Sequence, residues 1–236
     1  MSDVLLKLEG VSKQYDTESE GEIPRVLENV DLEVHPGETV GILGPSGSGK
    51  TTLLNIIGAL DKPTSGQATL RGKDLPGLNE EQLSDLRNRE IGFIFQMHHL
   101  LPQLSILENV LVPTLVHDGG EDRSKIEKRA KDLLEKVGLG HRLNYRPGQI
   151  SGGERQRAAV VRALINQPAL LLADEPTGAL DQENADSLFD LLLQLNREEG
   201  ITLICVTHAL PLAEKLARVF ELRNKRLAPS GEKQGV

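Results

Sequence analysis

The sequence predicts an α/β protein built on a parallel sheet, and three observations predict it. Runs that are apolar throughout, such as Ile91–Phe95, Ala169–Ala173 and Ile201–Val206, alternate with helical patterns. That rhythm belongs to strands buried on both faces by helices. A glycine-rich loop, Gly44–Thr51, lies between an apolar strand and a helix. Residues from about 97 to 150 switch to helical spacing and read as an insertion, after which the alternation resumes beyond Gly148.

The elements follow in order. Leu5–Val11 alternates apolar and charged residues and predicts a strand. The acidic stretch Thr17–Pro24 is a solvated loop, Val26–Val34 resumes the alternation, and His35-Pro36-Gly37 is a turn. Glu38–Leu43 is a strand, Thr52–Leu60 a helix and Gln67–Arg71 a strand. Glu80–Arg89 is a charged amphipathic helix leading into the strand Ile91–Phe95. Within the insertion, helices are predicted at Glu108–Val116 and Lys125–Val137, joined by the polar connector His117–Asp122. Then come a helix at Glu154–Ile165, the strand Ala169–Ala173, a helix at Asn184–Glu198, the strand Ile201–Val206 and a helix at Leu210–Leu216. The tail after Ala228 is polar.

Composition narrows the function. A chain of 236 residues suits one domain with a subdomain. Aromatics are 3% with no Trp, too few for a base-stacking platform. The formal charge of −8 argues against a protein bound mainly to phosphate backbones, so no nucleic-acid partner is expected. The single Cys205 allows no intramolecular disulfide and lies in an apolar run, as a buried hydrophobe would. The N-terminus lacks a secretory pattern and no apolar run approaches ~18 residues. A cytoplasmic protein is expected, with any membrane role arising through a partner.

Gly44-Pro45-Ser46-Gly47-Ser48-Gly49-Lys50-Thr51 fits the phosphate-loop pattern, and Thr52 follows it into the helix. Glycines let the backbone curl so that successive N–H groups point inward at the phosphates of ATP. The helix start adds a positive dipole end, Lys50 a full charge, and Thr51 a hydroxyl ligand for Mg²⁺. Leu170–Ala173 runs into Asp174 and Glu175. Asp174 suits Mg²⁺ held through water, and Glu175 suits a group that polarises the attacking water. His208 follows a second apolar strand, where its imidazole can reach a γ-phosphate oxygen. Gln96 follows Ile91–Phe95 in the same way and offers an amide oxygen to Mg²⁺ or water. Ser151-Gly152-Gly153-Glu154 opens a helix and makes a second anion site, which one nucleotide does not obviously need. The adjacent His98 and His99 lack a third ligand at metal spacing.

As a set these motifs resemble the ATP-binding cassette family over about residues 4–227. The set comprises the phosphate loop, Gln96, Ile150–Glu154, Leu170–Glu175, Gly178–Asp181 and His208, in family order. The resemblance implies a P-loop NTPase (RecA-like) parallel-sheet core with an antiparallel β subdomain and an inserted α-helical subdomain at about 97–165. It implies one nucleotide-binding domain, with Tyr15 stacked on adenine. It further implies that two copies associate head to tail, so that Ser151, Gly152 and Gly153 act on ATP held by the other copy and Asp181 lies at the seam. The usual signature is LSGGQ, and Ile150 and Glu154 depart from it.

A narrower likeness, carried by Phe95–Pro102, Leu107–Val110, Ser151–Arg157 and Ala173–Gly178, is to the branch with lipoprotein-releasing and macrolide-exporting ATPases. His98-His99-Leu100-Leu101-Pro102 leans towards the former. The resemblance implies an ATPase on the cytoplasmic face of the inner membrane, working on separate transmembrane subunits. The segment after Gln96 would receive them, with Leu100, Leu101 and Leu104 as exposed apolar contacts. A macrolide or peptide exporter, or a nucleotide-gated switch acting on envelope proteins, stays open. A non-transport cassette ATPase is disfavoured, because neither a long coiled coil nor a second cassette is present. A P-loop GTPase is disfavoured because Asn224-Lys225-Arg226-Leu227 lacks the Asp of the guanine-reading motif.

Overall fold

The computed structural model describes residues 4–15, 25–116 and 122–230. The acidic loop 17–24, most of the connector 117–122 and the tail beyond Ser230 lie outside the described residues. In chain order the first elements are β1 (Leu6–Gln14), β2 (Arg25–Val34), β3 (Thr39–Leu43), α1 (Lys50–Ile57), β4 (Ser65–Leu70), β5 (Lys73–Asp74) and α2 (Glu80–Glu90). Next come β6 (Ile91–Phe95), α3 (Ile106–Leu111), α4 (Arg123–Lys136), α5 (Gly152–Leu164), β7 (Leu170–Asp174) and α6 (Gln182–Glu199). The last are β8 (Thr202–Val206), α7 (Leu210–Ala213), β9 (Arg218–Arg223) and β10 (Arg226–Pro229). The chain divides into two units, one of residues 1–85 and 202–236, the other of 86–201.

In the first unit β1 pairs antiparallel with β2 (Leu8 opposite Leu32) and with β4 (Leu8 opposite Ala68), and β4 pairs with β5. The alternation read from the sequence puts Leu6, Leu8 and Val11 of β1 inside. A second group of strands is parallel: β3 lies between β8 (Ile42 opposite Val206) and β9 (Ile42 opposite Phe220). Helix α1 buries Leu53, Leu54, Ile56 and Ile57. Each such burial contributes roughly 1.5–3 kcal/mol. Cys205 is fully buried, as its apolar run requires.

In the second unit β6 and β7 are parallel, from Ile91 opposite Leu170 to Phe95 opposite Asp174. Helix α5 lies close on β6, since a Cβ on Gly92 would stand 2.4 Å from the Ala163 carbonyl. Buried Asn109 organises the loop before α3: its Oδ1 accepts from Leu101 N–H (2.7 Å), and its amide donates to the carbonyls of Leu101, Leu104 and Ser105.

Several expectations need correction. The helix expected from 108 to 116 ends at Leu111 and continues as a 3-10 turn, Val112–Leu115, because Pro113 has no N–H for an α-helical bond. The helix expected from 210 to 216 stops at Ala213, where 3-10-type bonds such as Leu216 N–H to the Ala213 carbonyl tighten the chain into β9. Helix α1 begins at Lys50, inside the glycine-rich loop, rather than at Thr52. Leu100 is buried, not exposed, whereas Leu101 is exposed as expected. Beyond the last predicted helix the chain forms the β9–β10 hairpin. Its two-residue turn uses Asn224 and Lys225, both at positive φ, in place of the glycine that usually marks such turns.

Candidate functional site

The residues singled out in the sequence fall in both units, and each group is built within its own. In the first unit, parallel pairing of β3 and β8 sends their following segments off the same sheet edge. Gly44–Thr51 and His208 emerge there. Thr207 anchors the exit, since its N–H donates to the Ile42 carbonyl (3.2 Å), and its hydroxyl accepts from Ala209 N–H. His208 itself is exposed.

The phosphate loop is shaped to receive an anion. Gly49 sits at φ 102° as the N-cap of α1, a conformation that strains any residue with a Cβ, and a Cβ there would lie 3.0 Å from the Val26 carbonyl. No side chain caps α1 and no acid stands in its first turn. Lys50 is buried, and its Nζ donates to the carbonyls of Gly44 (2.8 Å) and Pro45 (3.0 Å). Ser48 Oγ is buried without a hydrogen-bond partner. An orphaned hydroxyl, an uncapped helix start and a cation resting on neutral carbonyls fit a polyphosphate. Tyr15 is exposed; its hydroxyl donates to Asp61 Oδ2 (2.7 Å), and Lys13 Nζ lies 4.7 Å from its ring centre. Partial burial, and then the bond to Asp61, raise the Tyr15 pKa.

In the second unit the same edge rule brings Gln96, after β6, to the same end as Glu175, after β7. Glu175 adopts φ 47°, in the left-handed region that non-glycine residues rarely enter. Its carbonyl accepts from Gly178 N–H (3.0 Å). Gln96 packs against that turn, where a Cβ on Gly178 would lie 2.9 Å from its amide nitrogen. Asp174 and Glu175 are half-buried. Asp181 caps α6, its Oδ1 accepting from Asn184 N–H and its Oδ2 from the Asn184 amide. Those bonds, led by the Asn184 backbone N–H, hold the Asp181 carboxyl below its ordinary range.

The Ser151 site is a capped helix start. Ser151 Oγ accepts from Glu154 N–H (3.2 Å), and Glu154 Oε2 accepts from Ser151 N–H (2.8 Å). Gly153 lies close to α6: a Cβ there would stand 2.9 Å from Asn184 Oδ1 and displace that side chain. The signature helix thereby abuts the residue that Asp181 holds. Gly152 is exposed and Ile150 is buried.

Sequence reasoning missed two residues that serve this site. Gln156 Nε2 donates to the Phe95 carbonyl (2.8 Å), and Arg162 donates to the carbonyls of His98 (2.8 Å) and His99 (2.6 Å). Helix α5 therefore grips both flanks of Gln96. Polar side chains on a helix that otherwise buries Ala158, Ala159, Val160 and Val161 were the available signal. Of the histidine pair, His98 Nδ1 accepts from Leu100 N–H, and burial followed by nearby Arg155 lowers its pKa.

The family model for the ABC transporter matches residues 27–178. The chain is 48% identical to the lipoprotein-releasing system ATP-binding protein LolD 2 of Caulobacter vibrioides, covering 96% of this chain and 98% of that one. It is 46% identical to LolD of Idiomarina loihiensis over 95% and 96% of the two chains. Among solved structures it resembles a dimeric, post-hydrolysis form of the ATP-binding cassette MJ0796 bound to ADP and Pi. The TM-score there is 0.86 at 40% identity, over 98% of this chain and 100% of that one.

Proposed function

The chain belongs to the ABC transporter family as an ATP-hydrolysing subunit, and from that premise we propose that it powers release of lipoproteins from the inner membrane. The name shared by its curated relatives supports the substrate. The observation that carries the chemistry is the phosphate loop, with Lys50 resting on two carbonyls and Ser48 Oγ unpartnered.

ATP stacks its adenine on Tyr15 and lays its phosphates on Gly44–Thr52. Lys50 exchanges the carbonyls of Gly44 and Pro45 for β- and γ-phosphate oxygens, a charge-assisted bond replacing two neutral ones. Thr51, Gln96 and Asp174 offer hydroxyl, amide and carboxylate oxygens, the hard donors that suit Mg²⁺. When bound, that ion would neutralise the charge that builds on the phosphates. A second copy docks head to tail, and Ser151, Gly152 and Gly153 present a hydroxyl and backbone N–H groups to the γ-phosphate. Asp181 stands at the seam. Glu175 takes the proton of the attacking water, and His208 donates to the γ-phosphate as charge builds. The Gln96 segment passes closure to separate transmembrane subunits on the cytoplasmic face. Loss of phosphate removes the charge that held the pair shut. The dimeric form of the solved relative supports the paired arrangement.

The test uses vesicles carrying the membrane chain that co-purifies with this protein, loaded with an acylated lipoprotein. Glu175→Gln is expected to cut ATP turnover by ~10²–10⁴ and stop release while ATP binding persists. Unchanged turnover refutes the role of Glu175. ATP turnover without release in the parent moves the substrate to the exporter branch.

A further inference from the structure

Glu154 stands where the family's signature usually carries a neutral glutamine, and its charge lies one residue from Gly153 at an anion-facing helix start. The structure gives that charge a partner. Arg142 Nε donates to Glu154 Oε1 at 3.2 Å, with the two side chains 30% and 17% exposed. The other carboxylate oxygen, Oε2, holds Ser151 N–H, and Glu154 N–H is held by Ser151 Oγ. One carboxylate thus bridges the Arg142 guanidinium and the Ser151 backbone.

Arg142 is itself fixed. Its guanidinium lies 4.6 Å from the centre of the Tyr145 ring. The backbone of this segment is pinned to the start of α3, where Ile106 N–H donates to the Tyr145 carbonyl (2.8 Å) and Leu107 N–H to the Leu143 carbonyl (3.0 Å). A planar, stacked guanidinium is a stiffer anchor than an ammonium on a flexible stem.

The consequence for Ser151 is specific. Its Oγ already accepts a bond from Glu154 N–H, so the hydroxyl hydrogen remains to be donated outward. An incoming γ-phosphate would meet both that donor and the Glu154 charge. Without Arg142 the charge repels the phosphate; with Arg142 it is offset and serves only to orient Ser151.

We infer that Arg142 is a positioning residue for ATP hydrolysis, neutralising Glu154 and holding it so that the Ser151 hydroxyl faces the γ-phosphate of the opposing copy. This inference rests on the reading that Ser151 contacts that phosphate. Its signature is a dependence on Glu154. Arg142→Met is expected to lower kcat/KM for ATP about fivefold in the parent, but less than about twofold when made in a Glu154→Gln background. ATP affinity of the single subunit, read with a fluorescent ATP analogue at low protein concentration, is expected to stay at its parent value after Arg142→Met. An equal loss in both backgrounds means that Arg142 acts through packing on Tyr145 and overturns the inference, as does no loss in the parent. If Arg142→Met does not fold, Arg142→Lys in the same two backgrounds carries the comparison, with a smaller loss of the same pattern. Ser151→Ala is the separate control: unchanged turnover there sinks the reading of Ser151 itself.

Discussion

Two helix starts in this molecule are proposed to face anions, and they are built in opposite ways. Helix α1 begins at a left-handed glycine, with no side-chain cap and no acid in its first turn. Its donors have been left for a ligand. Helix α5 begins at Ser151 with a complete capping box and Glu154 in its first turn. Its own side chains satisfy the N–H groups of Ser151 and Glu154, and what it has left to offer is a hydroxyl hydrogen and the backbone of two glycines. The first arrangement suits tight, permanent custody of a polyphosphate. The second suits a lid that must stay folded when no phosphate is present and that adds a few directed bonds when one arrives.

The difference can be broken at either end. The largest effect is expected from Lys50→Ala, which removes the only full charge within the phosphate loop. ATP affinity and turnover should each fall by at least about 10², measured by equilibrium binding and phosphate release. Parent-level binding in that variant would remove the phosphate loop from the mechanism. Ser151→Ala should cost less, about tenfold in turnover, with ATP binding to the single subunit retained. A loss of binding equal to that of Lys50→Ala would erase the distinction between the two helix starts.

The smallest effect is one of pH. The backbone N–H of Ser151, aided by the Ser151 hydroxyl and Arg142 against the cost of burial, holds the Glu154 carboxyl below its ordinary 4.5. A carboxyl lowered by folding stabilises the protein fully above 4.5, and that stabilisation is lost as pH falls through the lowered value. The parent should therefore lose an extra 2–4 °C or so of melting temperature between pH 5 and 3 compared with Glu154→Gln, in keeping with a cap worth about 1 kcal/mol. Helix α1, lacking such a carboxylate, contributes nothing to that slope. Identical slopes in the two proteins would show that the capping box is not maintained in solution.

Much of this was legible in the chain itself. Gly44–Thr51, Asp174, Glu175 and His208 announced themselves because each follows an apolar run, and within each unit parallel strands deliver their C-terminal ends to one edge. The strands β3, β6, β7 and β8 lie within small shifts of their expected ends because their residues are mostly apolar. Gln156, Arg162 and Arg142 were not legible. Each acts on a backbone or carboxylate 12 to 64 positions away in sequence, and no local pattern encodes such a partner. Leu100 was misread for the same reason: its burial depends on how the 98–109 loop folds around Asn109, not on its neighbours in the chain.

Residue type and spacing alone, then, told the chemistry on offer and the alternation of the core strands with their helices. Those follow from residue type, spacing and period, which are local properties. Only the tertiary structure decided that Lys50 rests on carbonyls, that Glu175 turns through a left-handed conformation, and that the Glu154 charge is met by Arg142. Such arrangements are selected where burial makes each unsatisfied donor or charge costly, which spacing along the chain does not report.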